Sequence, residues 1–502
     1  MDPNISILWL VGIPLVSMPL VYLAGRISLR RGGSAAPARW LALLALAASF
    51  VPLYFAGSYP VTGVAVVTIF NGISLRFDGI SLLVSIVVLA LAFLVTLFSA
   101  SYMRGETGEE KFYALLVGMT GSIIGLGTAG DMFNLWVWFE AMAICSYMLV
   151  AFYRNQAASL EAGFKYLVQS ATGSILVLIA IALIFAGTGT LNMVDIRAIV
   201  SAPTPYILAA GALFIIGFGV KSALVPLHTW LPDAHSQAPS GISAMLSAVV
   251  IEAGLIAMLR VLGSLGAASV TWGTLLLIFG AANMLIGNLM ALRQTQVKRM
   301  LAYSSIVNIG YILLGIGLTL SFGLGYAAMG GFFHIMTHAL MKGLAFLAAG
   351  ALLYALHLAN HRHTPLLVSD LNGVSRRYPL TAFLLSVALL ALGGLPPLAG
   401  FMSKWQIFFG GSQAQSAWVW ALIIFTALNS VLSLAYYAPL VNRMYRREPS
   451  ALVEAGKPVT AVMGASLLVM GVLVAVLGFY PTLVSWVTAP AAGSLIASFG
   501  GF

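Results

Sequence analysis

Lys221, Lys342 and Lys404 stand inside apolar stretches long enough to cross a bilayer, and Glu140 and Glu252 stand inside two others. An ionised side chain at the centre of a membrane helix costs about 2.5–3.5 kcal/mol, so the three lysines together imply roughly 8–10 kcal/mol. Side chains carried against such a penalty are read first as a path for ions or protons. His334, His338 and Lys342 add a second pattern, because positions i, i+4 and i+8 of one helix share a face. Histidine titrates near neutrality and can pass a proton between its two ring nitrogens. Lysine shifts its pKa readily once buried, so the stripe reads as a proton relay. Metal ligation by the histidine pair is a rival reading, but no Glu or Cys lies near in sequence to complete a site. Histidines that only hydrogen-bond between helices are another.

Glu140, in Trp136-Val137-Trp138-Phe139-Glu140, needs a cationic partner or a proton in such surroundings, and Lys221 is the candidate. Opposite charges within about 4–6 Å stabilise both charged forms, so a changing separation would load and release a proton; a static salt bridge is the alternative. Glu252 is expected to pair with Lys221 or Lys342, or to titrate by itself. His228 joins the same path. Lys165 follows Glu161 at a helix start and can reach the interface along its stem. Asp131 reads as a helix cap, and Asp233 and His235 as an exit or accessory pair. Cys145, the single cysteine, leaves no disulfide framework or thiolate cluster and reads as a small buried hydrophobe.

The elements that must position these residues are helices in lipid. With 61% hydrophobic and 8% charged residues and a mean hydropathy of +1.00, the chain departs from a soluble globule, which carries about 25% charged residues. Apolar runs of span length number about fourteen, the first from Ile5 to Leu23 with no cleavage pattern after it. The last stretch, 481–502, reads as an interfacial tail. Seventeen of the 24 Lys and Arg residues fall in alternate connections and three, Arg76, Arg197 and Arg260, in the others. That asymmetry obeys the positive-inside rule and predicts both termini outside a prokaryotic cell membrane. The same dispersal explains the net charge of +10 without nucleic acid. The longest polar segments, 26–39, 357–377 and 443–458, are too short to fold alone, so no flavin, nicotinamide or iron–sulfur site, and no cofactor, is expected in this chain.

Two spans are interrupted. The seventh runs Gly217-Phe218-Gly219-Val220-Lys221 and then Pro226, His228, Trp230, Pro232, Asp233 and His235; the twelfth runs Gly393-Gly394-Leu395-Pro396-Pro397 and then Gly400, Phe401 and Lys404. Proline removes a backbone donor and clashes a turn back, and freed backbone groups at membrane depth survive only inside protein or beside water. Paired broken helices, one in each half, point to an inverted-repeat transporter with its ion site at the breaks.

These segments resemble the antiporter-like subunits shared by respiratory complex I, the Mrp-type multisubunit sodium/proton antiporters and the membrane-bound hydrogenases. The resemblance covers about residues 65–445 and rests on five markers: Phe133 to Glu140, Lys221 to His235, Lys298-Arg299-Met300-Leu301-Ala302-Tyr303-Ser304-Ser305-Ile306, His334 to Lys342, and Gly393 to Lys404. It implies an all-α polytopic fold of fourteen helices with two inverted five-helix repeats: helices 1–3 in 1–105, the repeats in 106–265 and 266–445, and the last helix with its tail in 446–502. It implies a proton path through Glu140, Lys221, helix eight, the Lys342 region and Lys404, and a D-type antiporter or complex I counterpart. Implied partners are homologous and small membrane subunits, lipids, protons, Na+ as a second cargo, and a redox arm on other chains. Glu252 departs from the family, which commonly carries lysine there, so the central link is chemically inverted. A long lateral C-terminal helix is not expected. A self-contained cation/proton transporter and a structural membrane anchor are the competing functions.

Overall fold

The computed structural model describes residues 3–57, 65–69, 73–266, 271–358 and 364–500. Arg362, in the polar segment 357–377, and residues 501–502 of the expected tail lie outside the described residues. Along the chain run α1 (Pro3–Arg30), α2 (Ala36–Ala56), β1 (Ala65–Ile69), β2 (Ile73–Phe77), α3 (Gly79–Tyr102), α4 (Glu109–Thr128), α5 (Met132–Val150), α6 (Ala157–Thr188), α7 (Met193–Ile199), α8 (Pro205–Lys221) and α9 (Trp230–Gln237). Then come α10 (Ser240–Ser264), which holds a π-helical turn at Leu246–Val250, α11 (Thr271–Ala291), α12 (Val297–Phe322), α13 (Gly325–Leu356), α14 (Pro379–Gly393), α15 (Ala399–Ser412), α16 (Ala417–Arg446), α17 (Ala451–Ala455), α18 (Ala461–Phe479) and α19 (Ser485–Ser498).

Among the described residues 12 helices are long and apolar enough to cross a membrane, and two shorter apolar ones, Pro205–Lys221 and Pro379–Gly393, stand where the sequence predicts interruptions. Of the most apolar window of α10, 100% is buried, so this helix lies inside the bundle. α13 is its neighbour and packs also against α3, α12, α14, α15, α18 and α19. By contrast only 28% of the corresponding window of α16 is buried, and its exposed Leu428 and Val431 suit a hydrocarbon surrounding. Helix ends follow local chemistry. Asp78 and Ser81 form a capping box at the start of α3, Asp131 caps α5 as expected by accepting from Asn134 N at 2.7 Å, and Gly323 with φ 69 closes α12.

The helical fold carries one short hairpin, in which β1 and β2 pair antiparallel from Ala65↔Phe77 to Ile69↔Ile73. The stretch read as an interfacial tail forms α19, a helix of 14 residues that packs on α3 and α13 with Val487, Ala491 and Leu495 fully buried. Two expectations are corrected. Arg260, counted with the connections, lies in α10 and is buried, and Lys298, counted likewise, is buried in the first turn of α12. In both cases a partner on another element holds the cation inside.

Candidate functional site

Both breaks leave backbone groups that the local sequence cannot satisfy, and neighbouring helices satisfy them. After Lys221 the chain turns through 222–229, with Ala223 at φ 53. Asn283 of α11 accepts from Val225 N at 2.8 Å and donates to Ala223 O at 3.4 Å, while Trp230 Nε1 donates to Val220 O at 2.8 Å. At the second break the carbonyls of Leu392 and Gly393 would accept, four residues on, from Pro396 and Pro397, which have no N–H. Lys404 Nζ donates to Leu392 O at 2.8 Å and Ser430 Oγ to Gly393 O at 3.0 Å. The prolines thus create the acceptor that holds the lysine.

Lys221, at the end of α8, is 1% exposed. Its Nζ donates to Tyr166 Oη at 2.7 Å and to Ser146 and Ser170 Oγ at 3.4 Å, and lies 4.5 Å and 5.7 Å from the ring centroids of Tyr166 and Phe139. Tyr166 itself stacks on Trp230 at 4.0 Å, so the ring that cradles the lysine is pinned by the helix after the break. Glu140 makes no direct bridge to Lys221 among the ion pairs of the described residues; it is half-buried, and its Oε1 has no hydrogen-bond partner. The hydroxyl cage claims the ammonium instead.

Of the alternatives open to Glu252, pairing with a lysine is not the one found. Its partner is His338, whose Nδ1 lies 2.7 Å from Glu252 Oε1, rather than Lys221 or Lys342. The π-helical turn immediately before Glu252 is an irregularity often found at functional positions. His338 Nε2 is buried without a partner, and its ring stacks 6.2 Å from that of His334. His334 Nδ1 contacts Ser403 Oγ at 2.8 Å and Nε2 contacts Asn308 Oδ1 at 3.2 Å. Lys342 Nζ donates to Leu301 O at 2.8 Å and Ser304 Oγ at 2.5 Å, and Ser304 in turn bonds Tyr437 Oη. Lys404 Nζ also donates to Ser430 Oγ at 2.9 Å and lies 4.3 Å from the Tyr311 ring centroid. His334, His338 and Lys342 are fully buried, so the stripe read from i, i+4, i+8 spacing faces protein along its length.

The accessory residues separate into two kinds. Asp233 is held by Lys165 at 3.1 Å and Arg299 at 2.5 Å, and Lys165 also pairs with Glu161 at 2.7 Å, all partly exposed. His235 is fully buried, stacked 4.7 Å from Phe346, with neither ring nitrogen partnered. His228 is half-buried with Nδ1 unpartnered. Sequence reasoning passed over Tyr166, Ser170, Ser304, Tyr311 and Ser430, the neutral groups that hold the lysines. Tyr166 and Ser170, four apart on α6, offered a faint signal. Lys298, which donates to Ala238 O at 2.5 Å, was visible only as part of a motif. Among the described residues no three His, Cys, Asp or Glu side chains converge as metal ligands would.

Residues 129–431 match the family model described as NADH:quinone oxidoreductase/Mrp antiporter, TM, and 66–113 match NADH-Ubiquinone oxidoreductase (complex I), chain 5 N-terminus. F(420)H(2) dehydrogenase subunit N of Methanosarcina mazei is 34% identical over 442 residues, covering 87% of this chain and 88% of its own. NADH-quinone oxidoreductase subunit N of Desulforudis audaxviator is 33% identical, covering 82% of each. Among solved structures, a chain of the membrane-bound sulfane sulfur reductase, an archaeal respiratory membrane complex, superposes with TM-score 0.86 at 30% identity over 99% of this chain and 98% of that one. A chain of the Mrp complex from Dietzia superposes with TM-score 0.84 at 21% identity, over 99% and 100%.

Proposed function

Because the chain belongs to the NADH:quinone oxidoreductase/Mrp antiporter family of membrane subunits, we propose that it translocates protons, in a multisubunit complex, along a row comprising Glu140, Lys221, Glu252, His338, Lys342 and Lys404. His334 and His228 extend the row, and His235, Asp233 and Lys165 serve its cytoplasmic end. The observation that carries this reading is the burial of three lysines against hydroxyls, carbonyls and rings, without a carboxylate on any of them among the described residues. A permanent cation so placed would be costly. Lysine can give up its proton, and a hydroxyl can either accept from the ammonium or donate to the free amine.

Glu252 and His338 form the one direct contact between titratable groups of opposite sign within the row, at 2.7 Å. A proton shared across that contact links the Lys221 side to the Lys342 side. The inverted central carboxylate then relays through His338 and His334. The two broken helices, added to the twelve long ones, make fourteen crossings that include two inverted five-helix repeats, with both termini outside. The partners are homologous and small membrane subunits, and a redox arm is supported by relatives named as dehydrogenase and quinone oxidoreductase subunits; Na+ is a second cargo where the complex is an antiporter.

The test uses the complex that copurifies with this chain, reconstituted in liposomes and driven by its own reaction or ion gradient. Lys221→Ala and Lys342→Ala are expected to lower coupled proton movement on the order of 10²-fold, as loss of a proton-transfer group does, while assembly persists. An assembled variant complex that pumps like the parent overturns the proposal. Ion flux by this chain alone in liposomes would instead favour a self-contained transporter.

A further inference from the structure

At the end of the bundle where α3 begins and α10 ends, a cavity of ≈ 110 Å³ is lined by Arg76, Asp78, Arg197, Arg260, Ser494 and Ser498. Three guanidinia face one carboxylate there. Asp78 is already saturated: Oδ1 accepts from Arg260 Nη2 at 2.9 Å and Ser81 N at 3.0 Å, and Oδ2 accepts from Arg260 Nη1 at 3.1 Å and lies 3.3 Å from Arg76 Nε. Donors are left over. Arg260, 8% exposed, keeps an unpartnered buried Nε, and Arg76 Nε, although 3.3 Å from Asp78 Oδ2, is likewise buried without a hydrogen bond. Arg197 uses one Nη to hold the Ala497 carbonyl of α19. Ser494 Oγ accepts from Gly79 N at 3.0 Å, which leaves its proton to donate. Burial pushes the Arg76 guanidinium below its ordinary range, and the nearby Arg260 and Arg197 add to the fall against the opposing pull of Asp78. The cavity therefore lacks negative charge.

We propose that this cavity binds a phosphate-class anion, supplied by a phospholipid headgroup or by free phosphate, and that the bound anion ties α19 to β2, α7 and α10. Guanidinium forks match phosphate oxygens in pairs, and basic pockets between membrane helices are suited to lipid headgroups. Among the described residues α19 is otherwise joined to this end by few polar contacts: the Arg197 bond to Ala497 and the Ser494 bond to Gly79. This site lies apart from the buried lysine row and does not depend on what that row does.

The experiment takes the delipidated complex in phosphate-free nonionic detergent and follows its thermal unfolding midpoint during four titrations. The probes are sodium phosphate against sodium chloride at equal ionic strength, and phosphatidylglycerol against an uncharged galactolipid. The wild-type midpoint is expected to rise with at least one phosphate-bearing probe and not with its control. Arg76→Gln and Arg197→Gln are expected to need about tenfold more of the same probe, the loss of one charge-assisted hydrogen bond. A response to phosphatidylglycerol alone identifies a headgroup site, and one to inorganic phosphate a free-ion site. No wild-type response beyond the controls, or an equal response in wild type and both variants, overturns the proposal. The wild-type titration is decisive even where a variant fails to assemble.

Discussion

Two regions of this molecule bury cations in opposite ways. At the end of the bundle Arg260 faces Asp78 in a bidentate pair, with Ser81 Oγ at 2.9 Å and Gly127 O at 2.5 Å completing the shell. Inside the bundle Lys221, Lys342 and Lys404 meet hydroxyls, carbonyls and aromatic rings. Arginine stays charged, so its burial demands a counter-charge. Lysine does not, and a neutral cage leaves both of its protonation states hydrogen-bonded. The contrast teaches that the partner, more than the depth, separates a cation that braces the fold from one placed to exchange a proton.

The comparison breaks most visibly at Asp78. Asp78→Asn strands Arg260 and should destabilise the subunit by about 3–5 kcal/mol, read as a lower unfolding midpoint. Burial alone would push the Asp78 carboxyl up, but the Arg260 ion pair and hydrogen bonds, with Arg76 behind them, hold it below its ordinary range. Its folded value is thus lower than its unfolded value of about 3.9. The stabilisation is present above that pH and lost as pH falls through the folded value, so wild type and variant should differ at neutral pH and converge in acid. Lys221→Met should do the reverse, lowering coupled proton movement on the order of 10²-fold with the unfolding midpoint unchanged or raised.

Smaller changes sharpen the same contrast. Tyr166→Phe keeps the ring stacked on Trp230 but removes the 2.7 Å contact to Lys221. A hydrogen bond to a charged group is worth about 1.5–3 kcal/mol, so transport should slow about tenfold in the reconstituted complex. Asn283→Ala removes both clamps on the first break and should cost about 1–2 kcal/mol. Faster amide hydrogen exchange at 223–225, with the rest of the bundle unchanged, is the expected signature.

Much of this was legible in the sequence, and the exceptions share a cause. Intramembrane lysines, the His334–Lys342 stripe and the two proline breaks are local patterns, fixed by residue type and a 3.6-residue period. Partner choice is not local. Glu252 takes His338, 86 residues away, and Lys221 takes Tyr166, 55 residues away, because helix packing sets which side chains meet. Arg260 closes an apolar run and so reads as a loop cation until Asp78, 182 residues earlier, is seen against it. Tyr166, Ser304 and Ser430 are ordinary helix-interior residues by sequence and acquire meaning only from the ammonium groups beside them.

Glu252→Gln tests the central claim most directly, since it preserves the shape and a hydrogen-bond acceptor for His338 while removing the titrating carboxylate. The measurement is the number of protons moved per turnover of the assembled complex in sealed liposomes. A fall in that ratio with the complex intact is the predicted result. A ratio equal to the parent's would mean that protons do not pass through Glu252 and His338, and would contradict the account.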